Sequence, residues 1–146
     1  MIKIWNIPKQ LLARNLTTNK KELLGHAHRV GLVEWYPMAA SILFSADYKV
    51  MVWNLDTKES VVASPVKTIT CHQGVILSMS FNTNSSLQAT TCKDHKIRVV
   101  DPRLGIVLQE VSYMRHQANK VLFLGNLKKL TAICGTSRCN NWQMAL

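Results

Sequence analysis

The chain has 146 residues, 47 % of them hydrophobic and 18 % charged, and its 18 Lys and Arg outnumber its 8 Asp and Glu to leave a net charge of +10. That apolar share supports a packed core and excludes a disordered, collagen-like or coiled-coil chain. Lys or Arg interrupts every apolar run well before the ~20 residues a membrane helix needs. The positive charge favours an acidic partner, without choosing among nucleic acid, anionic lipid and an acidic protein surface. No basic block concentrates it, since the only adjacent Lys/Arg pairs are Lys20-Lys21 and Lys128-Lys129.

The first predicted strand is Met1-Ile2-Lys3-Ile4-Trp5-Asn6, in which Ile2 and Ile4 share a face. Leu11-Leu12-Ala13-Arg14 follows as one helical turn in a linker. Lys21-Glu22-Leu23-Leu24 is a short outer strand, and Gly25-His26 precedes a further strand with Val30, Val33 and Trp35. Ile42-Leu43-Phe44-Ser45 leads through a turn containing Asp47 into Lys49-Val50-Met51-Val52-Trp53-Asn54. The same order then returns. Val66-Lys67-Thr68-Ile69-Thr70 is an outer strand, His72 precedes Ile76, Met79 and Phe81, and Leu87-Gln88-Ala89-Thr90 leads through Asp94 into Lys96-Ile97-Arg98-Val99-Val100-Asp101. A third round holds Ile106 to Val111, His116, Val121-Leu122-Phe123-Leu124 and Leu130-Thr131-Ala132-Ile133.

Two independent features carry one period. Trp5 to Trp53 is 48 residues and Trp53 to Val100 is 47, while His26, His72 and His116 are separated by 46 and 44. The prediction is an all-β chain of repeated four-stranded antiparallel units, roughly 1–54, 55–101 and 102–146. A Gly-His, a turn acid and a Trp-Asn at this period resemble the WD40 repeat, the blade of a β-propeller. In such a blade a histidine, the turn acid, a hydroxyl on the second strand and the tryptophan N–H bond in series. Each buried member costs about 1–3 kcal/mol if left unpaired.

The residues for that relay are His26, Ser45, Asp47 and Trp53 in the first unit. In the second they are His72, Thr90 and Asp94, with Val100 in place of tryptophan. In the third they are His116, Ser137 and Asn141. Ser45 lies two residues before Asp47, whereas Thr90 lies four before Asp94, so the first turn reads as two residues short. His26 and Asp47 also have the types of a catalytic dyad, but the pattern recurs at the repeat period and reads as structural. No Gly-rich phosphate loop, nucleophile elbow or HExxH is present, so an enzyme is not expected. Among Cys71, Cys92, Cys134 and Cys139, a zinc site from Cys92, His95, Cys134 and Cys139 has poor spacing. The thiols read as reduced and mostly buried, and no metal or cofactor is expected.

Lys21-Glu22-Leu23-Leu24-Gly25-His26, Val30 to Trp35, Lys49 to Asp56, Cys92 to Arg103 and Gly135-Thr136-Ser137-Arg138 resemble the coronin family, most of all its vertebrate type II branch. The resemblance implies about three blades of a seven-bladed propeller, in a non-enzymatic scaffold that binds filamentous actin. It places the protein in the cytoplasm on the actin cytoskeleton, with a nuclear pool. The family's N-terminal basic segment and C-terminal coiled coil have no counterpart here, so a truncated form that is marginal or aggregation-prone alone is the expectation. Arg29, Lys49, Lys93, Lys96, Lys120 and Arg138 recur near the turns and form a candidate basic rim for an acidic partner. The alternatives are a general protein-interaction scaffold, for example in a nuclear corepressor assembly, and a basic nucleic-acid binder. The latter lacks aromatic residues interleaved with basic ones on a strand face.

Overall fold

The structure is a computed structural model that describes residues 1–7, 20–113, 117–125, 129–136 and 139–145, with the backbone alone for 117–119, 134–136 and 139–145. Leu11 to Arg14 and His116 lie outside the described residues.

Fourteen strands are described, and no helix long and apolar enough to cross a membrane is found among the described residues. The first sheet joins β1 (Ile2–Ile4), β2 (Lys21–Leu23) and β6 (Val61–Val62). The second has the order β3 (Leu32–Trp35), β4 (Ile42–Ala46), β5 (Val50–Asn54), β7 (Lys67–Ile69). The third repeats it with β8 (Ile76–Phe81), β9 (Gln88–Cys92), β10 (Lys96–Asp101) and β11 (Ile106–Ser112). The fourth joins β12 (Gln117–Phe123), β13 (Leu130–Thr136) and β14 (Cys139–Ala145). This is an all-β architecture in which, among the described residues, two four-stranded antiparallel sheets stack between two three-stranded ones, as in an incomplete propeller.

Each outer strand belongs to the sheet before it in sequence, not to the one after it. β7 pairs antiparallel with β5, and β11 with β10, so the outer strand closes the unit that the tryptophan-position strand had seemed to end. Likewise β2 pairs with β1. β11 returns onto β10 through the short 102–105 turn, whereas β7 reaches β5 only after the longer 55–66 segment that carries β6. One pairing has no sequence signal. The two-residue β6 adds in parallel to the outer edge of β2, with Glu22 and Leu24 N–H donating to the Ser60 and Val62 carbonyls.

Period-two alternation builds the packing. In β4 and β5, Leu43, Met51 and Trp53 share one face, and Phe44, Ala46, Val50 and Val52 share the other. The first face packs on Leu23 and Val62 of the first sheet. The second packs, with Ile69, on Ile76, Met79 and Val100 of the third sheet. Ala89 and Ile97 continue the stack onto Val121 and Ala132 of the fourth. Burial on both faces explains why the third strands read as near-continuous apolar runs. Val33 and Trp35, on the innermost strand of the second sheet, stay half exposed.

Phe44 is 2 % exposed, stacks on Tyr36 and meets Phe81 edge-on. Phe44→Ala is expected to cost about 3–5 kcal/mol in urea titrations. Val33→Ser, at an exposed site, should stay within about 0.5 kcal/mol of the parent. Equal costs would contradict the stacking.

Candidate functional site

The polar side chains on the buried sheet faces define the site. In the second sheet, Ser45 lies opposite Met51 on the face that carries Trp53. Ser45 Oγ accepts from Trp53 Nε1–H at 2.8 Å and lies 2.6 Å from His26 Nε2. His26 Nδ1 lies 3.0 Å from Asp47 Oδ2, and Asp47 Oδ1 accepts the Lys49 N–H at 2.8 Å. Ser45, Trp53 and Asp47 are all buried. Burial opposes ionisation of Asp47, yet the Lys49 N–H and the hydrogen bond and charge of His26 hold its carboxyl below the ordinary value. Gly25 is required beside this chain of bonds, because a Cβ there would stand 2.9 Å from Trp53 Cη2.

The short turn explains itself through the pleat. The last rung of the second sheet's hairpin is Ala46–Val50, leaving three residues in the turn. In the third sheet Thr91 pairs with Ile97, leaving five. The two ladders end at equivalent rungs, and the turn of the second sheet is two residues shorter. Removing two residues preserves the alternation of faces, so Ser45 still sits opposite Met51 as Thr90 sits opposite Arg98.

The third sheet has the longer turn and a different network. His72 Nε2 lies 2.8 Å from Thr90 Oγ1. Asp94 Oδ1 accepts the Lys96 N–H, and Asp94 Oδ2 accepts from Gln73 N–H and lies 2.7 Å from Arg98 Nη2. Arg98 Nε lies 2.8 Å from Glu110 Oε2, while Glu110 Oε1 takes the Lys96 ammonium. Val100, in the tryptophan position, faces Gln88. The guanidinium therefore occupies the relay face where tryptophan is missing, and it is 2 % exposed. Burial opposes ionisation of Asp94, but the hydrogen bond from Arg98 and the Gln73 N–H push its pKa down to about 2. Burial, then the charge of Arg98, pushes His72 down to about 4 against the opposing Asp94 and Glu110. Arg98 and Glu110 escaped the sequence reading. Their signal was there: with Ile97 and Val99 on one face, Arg98 falls on the face of Thr90 and Val100.

In the fourth sheet, Ser137 lies outside the described residues and Asn141 is described by its backbone alone. Its expected turn position is corrected: it lies within β14, because pairing there begins at Thr136 and Cys139. Cys71 is half-buried and Cys92 buried, both free, and no metal-ligating group of three forms among the described residues.

The rim residues do not form one surface. Lys49 and Lys93 are exposed in the β4–β5 and β9–β10 turns, and Arg29 is exposed in the segment before β3. These share one end of the sheets, where His28 packs on Tyr48 at 4.7 Å and Lys93 N–H donates to Val75. Lys96 is tied to Glu110 within its own sheet. Lys120 stands in mid-β12 beside a groove that also touches Glu34, away from the turns. Arg138 lies outside the described residues.

No family model matches the chain. It is 75 % identical over 147 residues to Coronin-2A of Homo sapiens, covering 99 % of this chain and 28 % of that protein. It is 79 % identical over 147 residues to Coronin-2A of Mus musculus, again with 99 % of this chain and 28 % of that protein covered. It is 55 % identical over 145 residues to Coronin-2B of Homo sapiens, covering 99 % and 29 % respectively. The chain thus spans a little over a quarter of the length of these relatives.

Each orphaned buried group costs about 1–3 kcal/mol. Ser45→Ala orphans both His26 and Trp53 and is expected to destabilise more than Thr90→Val, which orphans His72 alone; equal losses in urea titrations would contradict the two networks. The acid limb of stability follows from the two shifts. Unfolded His72 takes its proton near 6.5 but folded His72 only near 4, so stability is lost as pH falls through that window. Asp94 adds a further loss between its ordinary 3.8 and about 2. His72→Gln should flatten the upper limb and leave the lower one, as read by denaturation midpoints across pH.

Proposed function

This chain belongs to the coronin family, and on that premise we propose that it is a non-enzymatic, actin-filament-binding scaffold made of propeller blades. The observation that carries the reading is the match of 99 % of its length to both Coronin-2A and Coronin-2B. The buried His26–Asp47 pair is spent on Ser45 and Trp53, as a structural relay within the sheet. The working location is the cytoplasm, on the actin cytoskeleton.

Arg29, Lys49 and Lys93 are the rim residues that share one end of the sheets and stay exposed, so they are the contact set for an acidic filament surface. Charges at such a rim steer encounter and set register more than they supply affinity. Co-sedimentation of the 146-residue chain with filamentous actin tests the proposal. Binding should fall several-fold in Lys49→Glu combined with Lys93→Glu at low salt, and the difference should shrink as salt rises. Failure of the parent chain to sediment with actin would remove the proposed function; unchanged binding by the double variant would remove the rim.

A further inference from the structure

At the end of the sheets opposite the β4–β5 and β9–β10 turns, a cleft of about 210 Å³ opens between the second and third sheets. Tyr36, Ile42, Phe44, Val52, Val66 and Pro102 line it, so its wall is almost wholly apolar. The wall is also stiff. Tyr36 stacks on Phe44 and meets Phe81 edge-on, and its hydroxyl donates to the Ser85 carbonyl at 2.9 Å.

Two cations stand at the mouth. Lys67 Nζ donates to the Arg103 and Leu104 carbonyls at 2.6 and 3.0 Å, which pins the β10–β11 turn of the third sheet against the outer strand of the second. That turn is further set by Asp101 Oδ1, which accepts the Arg103 and Leu104 N–H groups, and by Gly105 at φ +74°. Arg103 is exposed, and its Nε donates to the Tyr36 hydroxyl at 3.4 Å. Their hydrogen-bond partners are neutral, and although the Asp101 charge acts on Arg103 through space, among the described residues neither cation forms a direct ion pair with a carboxylate. Asp101, the acid closest in sequence, has one carboxylate oxygen committed to its own turn.

We propose that this cleft anchors an acidic peptide segment of a partner protein, with one leucine or phenylalanine side chain seated against Phe44 and Val52 and a neighbouring carboxylate paired with Arg103. The volume suits a single large side chain, below the ~300–1,000 Å³ of small-molecule sites. The two cations at the mouth favour an acidic peptide over basic and neutral ones. A guanidinium offers a carboxylate two parallel N–H donors, so Arg103 also fixes the orientation of the segment. The site lies away from the exposed rim and holds whether or not that rim contacts actin.

The test is fluorescence anisotropy of the 146-residue chain with a fluorescein-labelled peptide, Gly-Asp-Glu-Leu-Asp-Leu-Glu-Gly. Saturable binding is expected. It should weaken at least tenfold when the leucines become serine, and again when the acids become their amides. Arg103→Glu and Val66→Glu both alter exposed side chains, and each should weaken binding at least tenfold without changing the circular dichroism. Lys93→Glu, at the other end of the sheets, should leave it unchanged. Absence of saturable binding, equal binding of the amide peptide, or undiminished binding by Arg103→Glu would overturn the proposal. So would displacement of the peptide by dodecanoate at equal concentration, which would mark a fatty-acid site.

Discussion

A β-sheet buried on both faces has no stable existence by itself, and every feature of this chain answers to that constraint. The second sheet presents Leu43, Met51 and Trp53 to one neighbour and Phe44, Val50 and Val52 to the other. The third repeats the arrangement against the second and fourth. Stability in such a stack is a sum of sheets and of interfaces between them, and an interface is lost when either sheet opens. Among the described residues the chain runs through four sheets, two with four strands and two with three.

Double burial also decides what polar chemistry the sheets tolerate. A hydroxyl or imidazole on such a face must find partners within the stack, because water cannot reach it. The second sheet satisfies the need with a neutral hydroxyl bridging an imidazole and an indole, with one carboxylate at the end. The third lacks the indole and fills the same face with a guanidinium between two carboxylates. The buried Arg98–Asp94 pair, with Glu110 at its exposed edge, costs desolvation that an apolar replacement avoids. Its return is position: it ties the β9–β10 turn, β10 and the outer strand β11 into one unit.

Much of this was legible in the chain itself. The 45-residue period is visible because Trp53, His26 and His72 are rare residue types with one role each. The strands are visible because both faces of Val50 to Trp53 are buried, which leaves four apolar residues in a row. The assignment of outer strands to sheets was less legible. Lys67 to Ile69 reads as well with the following unit as with the preceding one, and only hydrogen bonding to β5 decides it. The parallel strand Val61–Val62 is too short to carry a pattern. The fate of Arg98 depended on a three-dimensional vacancy: a basic residue between two isoleucine-like neighbours reads as a solvated side chain until the missing tryptophan across the face is counted. Lys120 illustrates the converse, since its distance from a histidine suggested a turn and the pairing of β12 puts it in mid-strand.

Native-state hydrogen exchange across β4, β5, β9 and β10 tests the central claim, that face-to-face stacking makes the sheets interdependent. The stack predicts that the amides of these four strands share one opening free energy and one denaturant dependence, because Phe44, Val52, Met79 and Val100 belong to a single interface. Two separate opening free energies, one for β4–β5 and one for β9–β10, or amides without protection in either pair, would contradict it.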